Sequence, residues 1–327
     1  MKKIKILHLS STPLVGAPGK ISKFLSIKNF DSEHFYLNDY PEPLKNIFNS
    51  NSIYLNNEDE IIMNYFYETV KKANIIHIHN TIAEELCYKL IEINPNCKYV
   101  YQVHSPLREP PLFCNNDENL PFRFDAKLCI SQVHPRLYPD FTMVPNLIDH
   151  QGKLENLNED KIKVLFSPTH HRNKAEYPFS TKFSPKMDEN INLLTKKYPS
   201  IINFAILKKV IAPNILIKVR ENCHVSIDEI ATGGFHQISY EGLACGNVVI
   251  NNADIFARQS FAESILAEET PPFYQTDDNN FVDNLLRLAT DKNFLKQKRE
   301  DSFKYYQKYM KPQRLINCFI KIYKEII

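Results

Sequence analysis

Thr232-Gly233-Gly234-Phe235-His236-Gln237-Ile238-Ser239-Tyr240-Glu241-Gly242-Leu243-Ala244-Cys245-Gly246 is the stretch on which the fold reading turns. The chain has seven glycines, and four of them fall inside it. A β-rich run at 224–227 leads into the glycine pair. A helix-forming stretch follows with one carboxylate, Glu241, and then a small-residue turn before Val248-Val249-Ile250. Strand, glycine turn, short helix and strand make one unit of a parallel sheet. Glycines let backbone N–H groups approach a ligand closely, which suits a phosphate. A carboxylate beside them accepts hydrogen bonds from sugar hydroxyls. The segment reads as a cradle for a nucleotide-sugar.

Outward from this segment the same alternation runs along the whole chain. In the first half, strands are expected at 5–9, 34–37, 74–79, 98–104, 127–131 and 142–144, with helices at 60–72 and 82–93. Residues 147–160 are polar and rich in Asn and Glu, and read as a linker. Strands follow at 163–166, 203–208, 224–227 and 248–251, with helices at 186–197, 214–222 and 236–245. Helices at 281–290 and 294–326, broken at Pro312, close the chain. The expected fold class is α/β: two Rossmann-like, doubly wound parallel-sheet domains facing a cleft. The first is placed at 1–150 on the acceptor side, the second at 151–305 on the nucleotide-sugar side, and a closing helix at 306–327. Ligands of such sheets sit outside the carboxyl ends of the strands.

Composition narrows the class. A length of 327 residues, 43% hydrophobic and 24% charged, suits a two-domain globular enzyme. A net charge of +2 gives no global argument for nucleic acid, and no nucleic-acid partner is expected. Seven cysteines without CxxC spacing favour reduced thiols and a cytoplasmic setting over a disulfide frame or a zinc ribbon. The start, Met1-Lys2-Lys3-Ile4-Lys5-Ile6-Leu7-His8-Leu9, is too short and interrupted for a signal peptide and reads as a first strand. The last segment, 292–327, is basic and aromatic. It reads as a closing helix packed on the domains, with peripheral contact to an inner membrane face as the second reading.

The candidate residues follow strands. Ser10-Ser11-Thr12-Pro13-Leu14-Val15-Gly16-Ala17-Pro18-Gly19-Lys20 comes after the first strand. Gly16 is expected to bring backbone to a donor or acceptor phosphate at a helix start. It is not GxGxxG, so it is not a dinucleotide signature. His77 and His79 flank Ile78 and share one face of a strand. Two ligands do not make a metal site, no third is evident nearby, and no metal is expected. His104 ends another strand, where a lone imidazole can bond a sugar hydroxyl or handle a proton near neutral pH. Arg172 and Lys174, just after the strand that opens the second half, offer positive charge to a diphosphate. Gly233, Gly234, Phe235, His236 and Glu241 complete the expected donor site. Gly233, Gly234, Gly242 and Gly246 surround Glu241 so densely that a ligand, rather than packing, is the expected reason.

Taken together these residues resemble the retaining glycosyltransferases of family 4, which have the two-domain GT-B architecture. Asn74-Ile75-Ile76-His77-Ile78-His79-Asn80 and Tyr99-Val100-Tyr101-Gln102-Val103-His104 are similar to two N-terminal strands of that family, the second ending in its cleft histidine. Leu128-Cys129-Ile130-Ser131 and Val144-Pro145-Asn146-Leu147-Ile148-Asp149 resemble its SxS and PNGVD stretches, with Leu147 where the family has Gly. Phe235 through Gly246 resembles its donor segment, the most specific match. The resemblance implies transfer of a sugar, with retention, from a UDP- or GDP-sugar to a saccharide or lipid-linked acceptor, as in surface polysaccharide or glycoconjugate synthesis. It implies no cofactor and metal-independent chemistry. Glu241 would hold the ribose hydroxyls, and Arg172 and Lys174 the diphosphate, with Lys182 as another candidate cation. The family places two glutamates with seven residues between them, and Gly233 stands where the first should be. Thr232, Asp228 and Glu229 are the nearby candidates to replace it. A nucleotide-sugar epimerase on this architecture and a non-catalytic, degenerate transferase subunit are the rival readings.

Overall fold

The computed structural model describes residues 3–38, 52–104, 120–132, 134–157, 160–167, 185–207 and 211–327. The chain divides into two compact units, Met1–Asp149 with Pro312–Ile327, and His150–Lys311. No described helix is long and apolar enough to cross a membrane. The six described cysteines are free thiols.

The first unit holds β1 (Lys5–Ser10), α1 (Ala17–Ile27), β2 (Asp31–Tyr36), β3 (Ser52–Tyr54), α2 (Glu60–Lys72), β4 (Ile75–His79), α3 (Glu84–Ile93), β5 (Lys98–Val103), β6 (Ala126–Ile130) and β7 (Thr142–Val144). Its strands form one parallel sheet in the order β3-β2-β1-β4-β5-β6-β7. Neighbours of β1 lead away in opposite directions, so the carboxyl ends of β1 and β4 make the switch point where ligands of open sheets bind. The two faces differ. Leu7, Leu9, Phe35, Ile76, Ile78, Tyr99 and Tyr101 form an apolar core with Phe66 and Val70 of α2 and Cys87 and Leu90 of α3. By alternation the opposite face carries His8, Ser10, His34, His77, His79 and Gln102, all fully buried.

The second unit holds β8 (Ile162–Phe166), α4 (Pro185–Lys197), β9 (Ile202–Ile206), α5 (Pro213–Glu221), β10 (Val225–Ile227), α6 (Gln237–Ala244), β11 (Val248–Asn251), α7 (Ile255–Ser264), β12 (Tyr274–Gln275), α8 (Phe281–Thr290) and α9 (Lys292–Tyr305). The parallel order is β12-β11-β10-β8-β9, with its switch point between β8 and β10. Ile162, Val164 and Phe166 of β8 pack with Val225, Ile227, Val248 and Ile250 against helices α4 and α8.

A one-turn π segment, Tyr306–Met310, follows α9. Pro312 then starts α10 (Pro312–Ile326), because proline fits the first turn, where no N–H is required. Leu315, Ile316, Phe319, Ile322 and Tyr323 recur at helical spacing and are buried, while Lys321 and Lys324 stay exposed. The apolar stripe of the basic C-terminal segment is thus consumed by packing within the first unit.

Candidate functional site

The glycine-rich segment leaves the carboxyl end of β10, at the switch point of the second sheet. Two acids follow the strand directly, Asp228 and Glu229, and both are fully buried. Asp228 gathers the start of α6. Its Oδ2 accepts the His236 backbone N–H at 2.5 Å and the Ser239 hydroxyl at 2.7 Å. Its Oδ1 lies 3.0 Å from His236 Nδ1. An ionised carboxylate only accepts, so this contact fixes a proton on Nδ1. Asn251 on β11 completes the chain by donating to Ser239 at 3.0 Å. His236 is 25% exposed, and its Nε2 has no partner among the described residues. A buried carboxylate that holds one imidazole nitrogen and leaves the other outward is the orienting half of an acid–base or anion-binding pair. The same residue precedes the first turn of α6, where N–H groups favour an anion.

Glu229 turns back on its own loop. Its Oε2 accepts the N–H groups of Ala231 and Thr232 at 3.1 and 2.8 Å, while Oε1 is buried without a partner among the described residues. Burial pushes its carboxyl pKa up. Both acids are thus engaged locally, Glu229 with its own loop and Asp228 with the start of α6. Gly233 itself has a left-handed backbone, with φ +81°. A Cβ there would stand 3.2 Å from Asp254 Oδ2. Asp254 caps α7 by accepting the Ala257 N–H at 2.9 Å. A carboxylate from another element thus sits beside the glycine that lacks one.

Glu241 lies in the second turn of α6 and has a fixed partner that sequence reasoning missed. Arg220, on α5, is fully buried and donates from Nη2 to Glu241 Oε2 at 3.0 Å and from Nη1 to Ser226 at 2.9 Å. Oε1 of Glu241 carries no partner among the described residues. Two glycines near Glu241 have reasons of their own, which corrects the argument from glycine density. A Cβ at Gly242 would meet Val249 Cγ2 at 2.7 Å, and Gly246 ends α6 in a left-handed conformation against Leu154. Phe235 is also a core residue, packed on Tyr240, Phe261 and Phe273 with centroids 5.2–5.8 Å apart. Only its backbone can meet a ligand. Gly234 is buried beside it. Arg172, Lys174 and Lys182 lie outside the described residues.

In the first unit, Leu14, Val15 and Gly16 have φ of 48°, 55° and 75°. Such a left-handed run is costly for non-glycine residues and clusters at functional loops. It turns the chain from the end of β1 into α1, whose first turn holds the Pro18 and Gly19 of the expected loop. His104 follows β5 and is neither lone nor a proton carrier near neutral pH. Its Nε2 lies 2.8 Å from His79 Nδ1, and its N–H donates to Asn80 Oδ1 at 2.7 Å. Burial, then His134 and His34, push its pKa down to about 3. The ring is therefore a neutral imidazole at neutral pH. The expectation that His77 and His79 have no third histidine nearby also fails. His8 Nδ1 lies 3.0 Å from His79 Nε2, and the His8 and His77 ring centroids are 5.1 Å apart.

No protein-family model and no curated protein sequence matches the chain. Solved structures do. The chain is similar to an alpha-glucosyltransferase in complex with UDP-glucose and DNA containing an abasic site, at TM-score 0.60 and 14% identity over 99% of this chain and 100% of that one. It is similar to a glycosyltransferase from Rickettsia africae ESF-5, at TM-score 0.59 and 12% identity over 100% and 99%. Sucrose-phosphate synthase from Thermosynechococcus elongatus gives TM-score 0.58 and 14% identity over 98% and 99%. At these identities the likeness is one of fold, and it gives the two parallel-sheet units the GT-B architecture that the sequence led us to expect.

Proposed function

We propose that the chain is a nucleotide-sugar-dependent glycosyltransferase, moving a sugar with retention to a saccharide or lipid-linked acceptor in surface polysaccharide or glycoconjugate synthesis. The observation that carries the reading is the Asp228-anchored His236 at the start of α6, beside Gly233 and one helical turn before Glu241. Helix N–H groups and an imidazole suit a diphosphate, which gains charge as its bond to the sugar breaks. Glu241 keeps Oε1 for ribose hydroxyls, while Arg220 fixes its other oxygen. Arg172 and Lys174 are the proposed further diphosphate cations. His104, as a neutral imidazole, is the proposed contact for a sugar hydroxyl, and Gly16 for a phosphate. Transfer is expected to need neither cofactor nor metal. UDP-sugars are the first donors to try, since a similar structure was solved with UDP-glucose. GDP-sugars come second.

Calorimetry with UDP and GDP, followed by transfer from labelled UDP- and GDP-sugars, tests this. Saccharide, lipid-linked and DNA acceptors belong in the assay, because the alpha-glucosyltransferase was solved with DNA. Binding of one nucleotide is expected, weakened about tenfold or more in His236→Gln, about 1.4 kcal/mol. The left-handed Gly233 in place of a glutamate favours the rival reading, a non-catalytic subunit. A chain that binds neither nucleotide nor any nucleotide-sugar supports that rival and defeats the proposal.

A further inference from the structure

His8, His77 and His79 place one ring nitrogen each within 4.8 Å of the other two. All three are fully buried. The topology makes this meeting. β1 and β4 are parallel neighbours with His8 opposite His77, and His79 lies two residues further along on the same face. Two observations say more than proximity. His8 Nε2 and His77 Nε2 are buried with no hydrogen-bond partner among the described residues. Buried nitrogens are rarely left so, and an orphaned pair in one cluster calls for a shared ligand. Further, His77 and His79 each have one nitrogen held by a group outside the triad. His77 Nδ1 lies 2.7 Å from the Tyr323 hydroxyl of α10, and His79 Nδ1 lies 2.8 Å from His104 Nε2. One ring nitrogen anchored by an outer partner is how metal-bound histidines are oriented. His77 leaves Nε2 for the ion, whereas His79 Nε2 faces His8 Nδ1 at 3.0 Å and exchanges that contact for the ion.

We propose that His8, His77 and His79 bind a first-row transition-metal dication, zinc in the first instance. Imidazole donors suit zinc, copper, nickel and cobalt, whereas magnesium and calcium demand oxygen. No carboxylate or thiolate belongs to the group among the described residues. Three neutral donors leave the ion's charge uncompensated, so binding rests on the metal–nitrogen bonds. Full burial means the ion enters as the unit folds, not through the finished surface. Its role is structural. It ties β1 to β4 and, through His79, fixes the His104 ring. The site stands independently of the proposed transfer reaction.

The test uses the full chain. Metal content is measured after purification by mass spectrometry. The chain is then unfolded in chelator and refolded with and without Co2+ or Zn2+. The expected results are about one ion per chain, a visible Co2+ ligand-field band and a higher thermal midpoint in the metal-refolded chain. His8→Gln and His77→Gln should each weaken Co2+ binding by about a hundredfold or more, and His104→Gln by about tenfold, as for loss of an outer partner. A wild-type chain that refolds without stoichiometric Co2+, band or thermal shift overturns the site and leaves a plain imidazole cluster. Undiminished binding by folded His8→Gln and His77→Gln places the ion elsewhere and overturns it equally. The wild-type arm needs no variant to fold.

Discussion

The Arg220 guanidinium and the Glu241 carboxylate meet at 3.0 Å, with side-chain exposures of 0% and 16%. Before it can serve a ligand, Glu241 neutralises a buried cation. Glu241→Ala is therefore expected to lower unfolding free energy by about 3–5 kcal/mol, because a buried charge is left unpaired. Arg220→Met combined with Glu241→Leu should recover most of that loss. Urea unfolding of the single and double variants checks this, and a single-variant loss below about 0.5 kcal/mol would show that the pair is idle.

Asp228→Asn keeps the volume but replaces one acceptor by an amide donor between His236 and Ser239. The His236 proton should leave Nδ1 for Nε2, and nucleotide affinity should fall about tenfold while the fold persists. Nitrogen-15 imidazole spectra read the tautomer directly. A wild-type ring with its proton on Nε2 would remove the basis of the pair.

Restoring the missing glutamate should not improve the enzyme. Gly233→Glu forces a side chain onto a left-handed backbone and sets it against the Asp254 carboxylate. The strain is expected to cost about 1–2 kcal/mol. A lower thermal midpoint without faster transfer is the expected pair of results. Increased transfer at unchanged stability would contradict the reading of Gly233.

The histidine layer makes stability depend on pH. In the metal-free chain, burial holds His8 at about 3 and His34 well below its ordinary value. Unfolded imidazoles titrate near 6.5, so below that pH the unfolded chain binds more protons than the folded one. Stability is fully present above about pH 6.5 and is lost as pH falls toward 3, by up to about 1.4 kcal/mol per pH unit for each histidine. Denaturant unfolding between pH 7.5 and 5 should show this fall, and His34→Gln should make it shallower. A flat profile in the wild type would refute it.

Much of the fold was legible because buried parallel strands write themselves as short apolar runs. Residues 74–79, 98–104 and 248–251 are such runs, and each became a strand within a residue or so. The short strands β3 and β12 carry too few residues to show a period. Helix α7 begins with the exposed Ile255 and Phe256, which blur its apolar stripe. The site was legible in part. His236 caps, and Glu241 stands on, the helix that the glycine pair announced, and Asp228 was read only as a stand-in for the missing glutamate, not as the partner of His236. Arg220 could not, since a buried arginine two residues after Lys218 looks like any other surface cation. His8 lies 71 residues before His79, and only the β1–β4 pairing brings them together. Local spacing shows which residues share a face, not which strand lies beside it.

Helix α10 ends the chain but belongs to the unit that begins it, with Tyr323 against His77. This sets an order on the ribosome. Met1–Asp149 emerges early, yet its sheet lacks its last covering helix until His150–Lys311 has been made. The second unit is contiguous and can close while the first still waits, its histidine face incompletely covered. A stalled or truncated product that stops before Pro312 therefore leaves the half that was synthesised first without the Tyr323 partner of His77.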